Sequence, residues 1–339
     1  MISVVIPAFN AASTIHECLH AIGQSECSDY EVVVVDDGST DGSGDIAMGL
    51  DCRLVALEHN AGAAAAKNAG ARAARGDILL FTDADVLLRP GTLQLAAEVL
   101  NDQSITAVVG LLGQELRYND FPSQFKNLWM HYTYSRLADS GGAERSVGVF
   151  YTSIAAIRRD VFLSMGGFDS NYRGASVTED IEFGQRLLTA GHKVCLDGRM
   201  QVEHIKHYSL QGLIRTDLRR AHGLAKTWLR KRLTHGLQET GQKYYASVPW
   251  FFVAGVPLAW LLPALAVAGF ASRQPAWALA AFLDYVAILL VNLPFLSALQ
   301  SARGWWFLLQ SCIFLPVDLW VSGLGIVWAA VDYVRGRRY

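Results

Sequence analysis

DILLFTDAD, residues 77–85, joins a run of apolar residues to two carboxylates, Asp83 and Asp85, with one alanine between them. Successive side chains of a strand point to opposite faces, so an uninterrupted apolar run reads as a strand buried on both sides, as in a parallel sheet. Carboxylates at the end of such a strand lie at the edge where α/β sheets bind their ligands. Hard oxygen ligands of this type suit Mg2+ or Mn2+ and hold the ion against a diphosphate, whose charge it neutralises. The pattern also occurs upstream, where VVVVDDGSTD (32–41) runs four valines into Asp36, Asp37 and Gly38. Alone, that stretch could equally be an acidic turn. Further strand-like runs are ISVVIP (2–7), RLVAL (53–57) and ITAVVG (105–110), with helical spacing at 11–22 and 61–75 between them. The alternation predicts β-α-β units and an α/β domain, a Rossmann-like, mostly parallel sheet flanked by helices.

HECLH, residues 16–20, is a competing signal. Two histidines four residues apart, with a glutamate after the first, are how a helix offers zinc two imidazoles and a general base. Ile15, Leu19 and Ile22 form the stripe that faces the sheet, which turns His16 and His20 toward solvent. No further ligand follows on that helix, and a peptidase site is not expected.

Residues 2–210 resemble the family 2 glycosyltransferases of the inverting GT-A fold. The resemblance rests on Pro7-Ala8-Phe9-Asn10, VVDDGSTDGS, the N-x-G-x-x-x-x-x-N-x-G run from Asn60 to Gly70, GDILLFTDAD, GGFD at 166–169 and TED at 178–180. It implies nucleotide contacts from Pro7, Ala8, Asn10, Asp36, Asp37, Lys67 and Asp83. It also implies a divalent ion, Mn2+ or Mg2+, on Asp85, with His204 rather than His207 as a further ligand. Asp180 would be the catalytic base, with Glu179 beside it. The donor implied is a nucleotide-diphosphate sugar, with UDP-sugars preferred, and the acceptor a lipid or lipid-linked glycan. A polyprenyl-phosphate sugar synthase and a non-catalytic nucleotide-binding membrane protein are the alternatives. QGLIR (211–215) departs from the Q-x-x-R-W pattern of processive synthases, so a single addition is expected.

Composition changes near Tyr244. The chain is 52% hydrophobic with net charge −2, and the excess of apolar residues lies in 244–334. Runs at 246–270, 275–301 and 305–334 are each long enough to cross a bilayer core of about 30 Å. Three spans are expected on length alone. They would set the tail residues Arg335, Arg337 and Arg338 opposite the basic cluster formed by Arg215, Arg219, Arg220, Lys226, Arg230, Lys231, Arg232 and Lys243, against the positive-inside tendency. An even number would follow if the run with Pro249, Pro257 and Pro263 were re-entrant. Asp284 and Asp318 are expected at similar depth on adjacent helices, where they could pair. The aromatic segment 121–137 either lies against the membrane or covers the sheet. The organisation expected is a GT-A domain (1–214), a basic juxtamembrane segment (215–243), a transmembrane region (244–334) and a basic tail (335–339). Five scattered cysteines argue for a reducing compartment. With no signal peptide at the start, a multi-pass protein of the inner membrane with its catalytic domain in the cytosol is expected, and nucleic acid is not a partner.

Overall fold

The five strand-like runs all form strands in the computed structural model, which describes residues 1–139, 146–172, 178–234 and 248–337. The first half of the chain comprises β1 (Ile2–Ala8), α1 (Ile15–Gly23), β2 (Tyr30–Asp36), α2 (Ser43–Met48), β3 (Arg53–Ala56), α3 (Ala63–Ala73), β4 (Ile78–Phe81), β5 (Val86–Leu88), α4 (Thr92–Leu100), β6 (Ala107–Leu112) and α5 (Phe121–Asp139). There follow β7 (Ala155–Arg158), α6 (Arg159–Ser164), α7 (Glu179–Thr189), β8 (Val194–His204), α8 (Leu210–Thr234), α9 (Trp250–Ser272), α10 (Pro275–Val291) and α11 (Leu293–Val334).

One eight-stranded sheet has the order β3-β2-β1-β4-β7-β6-β8-β5. Its first four strands are parallel. The other half is mixed, because β7 runs antiparallel to both β4 and β6, and β5 antiparallel to β8. The valines of β2 are buried on both faces, Val32 and Val34 in the main core and Val33 and Val35 beneath α3. That double burial is the physical basis of the unbroken apolar run. Helix α3 lies close to the sheet at Gly70, where a Cβ would come within 2.4 Å of a Val5 methyl. Ile15, Leu19 and Ile22 of α1 are buried while His16 and His20 are exposed, so HECLH presents no joint site. Glu17 is taken up by Arg117.

The apolar third departs from three equal spans. The run 275–301 divides at Asn292, because Pro294 opens a new helix that continues, with a kink at Gly304 (φ 81°), to Val334. Proline suits a first helical turn, where its missing N–H costs nothing. Among the described residues two helices have the length and hydropathy to cross a membrane, α9 and α11, and α10 is shorter. Pro257 and Pro263 lie inside α9 without dividing it. Asp284 and Asp318 do not pair. Asp318 lines a small cavity with Lys126 and Asp217, and one oxygen of Asp284 has no partner. Segment 121–137 is internal: α5 is wedged between the domain and the C-terminal helices, with Phe125 against Phe295 and Phe314 and Trp129 against Phe252. Lys243, the first residues of the 246–270 run, and Arg338 lie outside the described residues.

Candidate active site

Because β1, β2 and β4 are parallel, the loops that follow them open on one edge of the sheet. Asn10, just past β1, takes a left-handed conformation (φ 52°), its amide donating to Ser39 Oγ (3.0 Å) and its Oδ1 accepting from Thr40 N (3.0 Å). The first two loops are thereby tied together. Asp37 is 3% exposed and accepts from the amides of Ala61 (2.7 Å) and Gly62 (2.9 Å), which fixes the loop entering α3. A carboxylate has about four acceptor positions, so two remain for a ligand. Asp36 is turned away: it accepts from Ser39 N (3.0 Å) and packs against Gly44. Of the sequence-predicted site residues, Asp36 alone stays outside the cleft of about 920 Å3 that Pro7, Ala8, Asn10, Asp37, Lys67, Asp83, Asp85, Glu179, Asp180 and His204 all line.

At the end of β4, Asp83 accepts from Ser153 Oγ (2.7 Å). Asp85 immediately precedes β5, whose Val86 pairs with His204 at the end of β8, and the Asp85 carbonyl accepts from Ile205 N (2.9 Å). His204 Nε2 comes 3.3 Å from the Asp85 carboxylate, whereas His207 is engaged with Asp120 at 3.4 Å. Burial works against ionisation of Asp85, but the charge and hydrogen bond of His204 together with the charge of Lys206 outweigh it and hold the carboxyl down at about 2. An ionised carboxylate beside an imidazole fits a divalent ion. Among the described residues no group of three or more His, Cys, Asp or Glu could hold a metal alone. A partial ligand set completed by substrate phosphate and water is the usual arrangement for Mg2+-type sites.

Glu179 and Asp180 open α7 in the cleft wall. The helix is clamped by Arg186, which donates to the carbonyls of Met165 (2.8 Å) and Gly167 (2.6 Å), and by Gln185, which donates to Gly148 O (2.6 Å). GGFD is thus scaffold. Asn68 completes it by exchanging two hydrogen bonds with Phe168, at 2.7 and 2.9 Å. Asp180 accepts from Ile181 N (2.7 Å) and Thr152 N (3.5 Å). Burial, followed by the neighbouring charge of Glu179, pushes its carboxyl up to about 7, with Lys67 acting in the opposite direction. Lys67 is itself buried, 3.2 Å from Glu179 Oε1. Burial disfavours its charge, yet Glu179, Asp83 and Asp180 together raise its pKa above the ordinary lysine value. The second oxygen of Glu179 is buried without a partner.

The family model described as glycosyl transferase family 2 matches residues 3–165. That stretch, just under half of the chain, is a family 2 glycosyl transferase domain by this match. The chain is 33% identical over 115 residues to glycosyltransferase GlyG of Streptococcus pneumoniae, a match covering 32% of this chain and only 38% of that relative. A longer match, 24% identical over 269 residues, covers 76% of this chain and 81% of glycosyltransferase AglE of Haloferax volcanii. The mannosyltransferase PcManGT of Pyrobaculum calidifontis, solved with GDP-Man and Mn2+, aligns over 99% of this chain and 87% of that one, with a TM-score of 0.58 and 20% identity. The shared fold is GT-A.

In this family 2 domain the structure adds residues that no motif marked. Thr152 and Ser153, just before β7, contact Lys67, Asp180 and Asp83. Arg219 and Arg220 of the basic cluster line the cleft. Arg230 and Lys231 turn onto the domain instead, toward Asp169 (3.8 Å) and Gln185 (3.1 Å).

Proposed function

We propose that this chain transfers a sugar from a nucleotide-diphosphate sugar to a lipid or lipid-linked acceptor, with inversion at the anomeric carbon, at the cytosolic face of the inner membrane. The observation that carries this reading is that one cleft holds a metal-suited pair, Asp85 and His204, and a buried carboxyl, Asp180, whose pKa of about 7 is that of a general base working near neutrality. Asp37 and the loop after β1 would hold the nucleoside, with UDP-sugars and GDP-sugars the donors to compare. Asp85 and His204 would hold Mn2+ or Mg2+, which when bound neutralises the departing diphosphate. Asp180 would take the proton of an acceptor hydroxyl as that oxygen attacks from the face opposite the leaving group. Met130 and Tyr134 of α5, both buried, line the cleft and would keep bulk water from one side of that reaction.

Membrane attachment is supported by apolar residues left bare on α9 and α10, among them Phe270 (91% exposed), Val267, Leu279 and Phe282. A patch of that extent marks an interaction surface.

The test separates binding from chemistry. Asp85→Ala should abolish Mn2+-dependent UDP or GDP binding in calorimetry, whereas Asp180→Asn should bind as wild type and transfer sugar about 10² to 10⁴ times more slowly. Near wild-type transfer by Asp180→Asn, or unchanged metal-dependent binding by Asp85→Ala, would remove those assignments.

A further inference from the structure

Five Lys and Arg residues line the cleft: Lys67, which is paired with Glu179, and Lys126, Lys206, Arg219 and Arg220. The Lys126 charge is already met by Asp217. Lys206, Arg219 and Arg220 form no ion pair among the described residues, and Lys206 lies close enough to Asp85 to help hold it ionised. Arg220 is set in place by stacking over Trp129, its guanidinium 4.5 Å from the ring centre. Around it stand Tyr134, Tyr151 and Tyr208, whose phenols burial keeps protonated; that of Tyr134 is pushed up to about 12. A neutral phenol can donate a hydrogen bond, and a guanidinium can only donate. Tyr134 also feels the charge of Asp180, which puts these donors next to the carboxyl assigned as base.

We propose that Arg219 and Arg220, with the hydroxyls of Tyr134 and Tyr208, form an anion subsite that takes a phosphate carried by the lipid acceptor. The inference rests on the transferase reading above and deepens it. A phosphate fits because its oxygens accept, and because guanidinium forks match it in a bidentate way. A neutral glycolipid would leave the cleft-facing donors of Arg219 and Arg220 to water. On that reading the donor's own diphosphate would be neutralised elsewhere, by the divalent ion that Asp85 and His204 would hold.

The experiment uses the full chain in detergent micelles, with farnesyl phosphate, farnesol, inorganic pyrophosphate and phosphatidylglycerol as probes and UDP or GDP with Mn2+ as the donor-site control. Farnesyl phosphate should bind and farnesol at least tenfold more weakly. Arg219→Gln and Arg220→Gln should each weaken farnesyl phosphate at least tenfold, with nucleotide binding and melting temperature unchanged. Arg220→Lys, which retains charge and stem, should fall between. Equal binding of farnesol would overturn the proposal. So would parallel loss of nucleotide and farnesyl phosphate in the glutamine variants, which would return the arginines to the donor, or equally effective displacement by pyrophosphate or phosphatidylglycerol. These binding readouts do not depend on turnover, so a chain that took farnesyl phosphate but transferred no sugar would count against the proposed function and not against the subsite.

Discussion

Lys67, Glu179 and Asp180 share one buried corner, and two of the three are carboxyl groups. Lys67, for which a nucleoside contact is expected, lines the cleft with its ammonium against Glu179 and Thr152. A buried cation within reach of a carboxyl favours the ionised form, and a buried anion opposes it. Asp180, with its pKa at about 7, must lose its proton to act as base, so kcat/KM should fall as pH drops through that value. The two neighbours act with opposite sign. Glu179→Gln removes a repelling charge and should move the acid limb down by about one unit, whereas Lys67→Met removes an attracting one and should move it up by a similar amount. Single-turnover pH profiles of the three proteins check this. Limbs that coincide would mean that Asp180 does not set the profile.

Strands that end in function were the most legible elements. β1, β2 and β4 each carry an apolar run with an abrupt polar end, and both signals are local. The entry of β7 between β4 and β6 was not legible, because AAIR is short and its neighbours are distant in sequence. Thr152 and Ser153 went unseen for that reason: two hydroxyl residues before an unrecognised strand carry no pattern. Arg219 and Arg220 were seen only as part of a basic cluster, since sequence alone does not tell which face of α8 meets the cleft. Their placement depends on the crossing of α8 over α11 at Gly325, where a Cβ would lie 2.5 Å from the Leu218 carbonyl oxygen and 2.9 Å from both Ala221 Cβ and His222 N. Gly325→Ala should therefore cost about 1–3 kcal/mol through overpacking. By displacing α8 it should raise acceptor KM while leaving nucleotide affinity near wild type. Thermal melting and the two affinities check this; unchanged melting would mean the crossing has room to give.

At the scale of the whole molecule, the proposal of membrane attachment raises the question of which side the tail would lie on. Length alone favoured three spans, but α11 is engaged along its course by the domain: Arg303 donates to Gln124 (2.6 Å) and to Gln114 O (2.5 Å), Asp318 shares a cavity with Asp217, and Asp332 lies 3.0 Å from His222 Nε2. A helix that crossed the bilayer with those contacts would draw α8, with its seven Arg and Lys residues between 215 and 232, into hydrocarbon, at a cost of several kcal/mol per charge. On the membrane-bound reading, α11 instead stays with the domain and turns Trp305, Trp306, Ile313 and Trp320 toward the bilayer surface, where tryptophan is favoured. That leaves α9 and α10 to enter as a hairpin. Its arms are roughly 34 and 25 Å long at helical rise, enough for one full crossing and one marginal return. The tail and the basic cluster then share a side, which removes the conflict with the positive-inside tendency. In a cysteine-free background, Asn101→Cys on the domain and Arg337→Cys in the tail should both resist a membrane-impermeant maleimide in intact spheroplasts and both react once the membrane is opened. Reaction of Arg337→Cys alone in intact spheroplasts would restore an odd number of crossings and require α11 to part from α8.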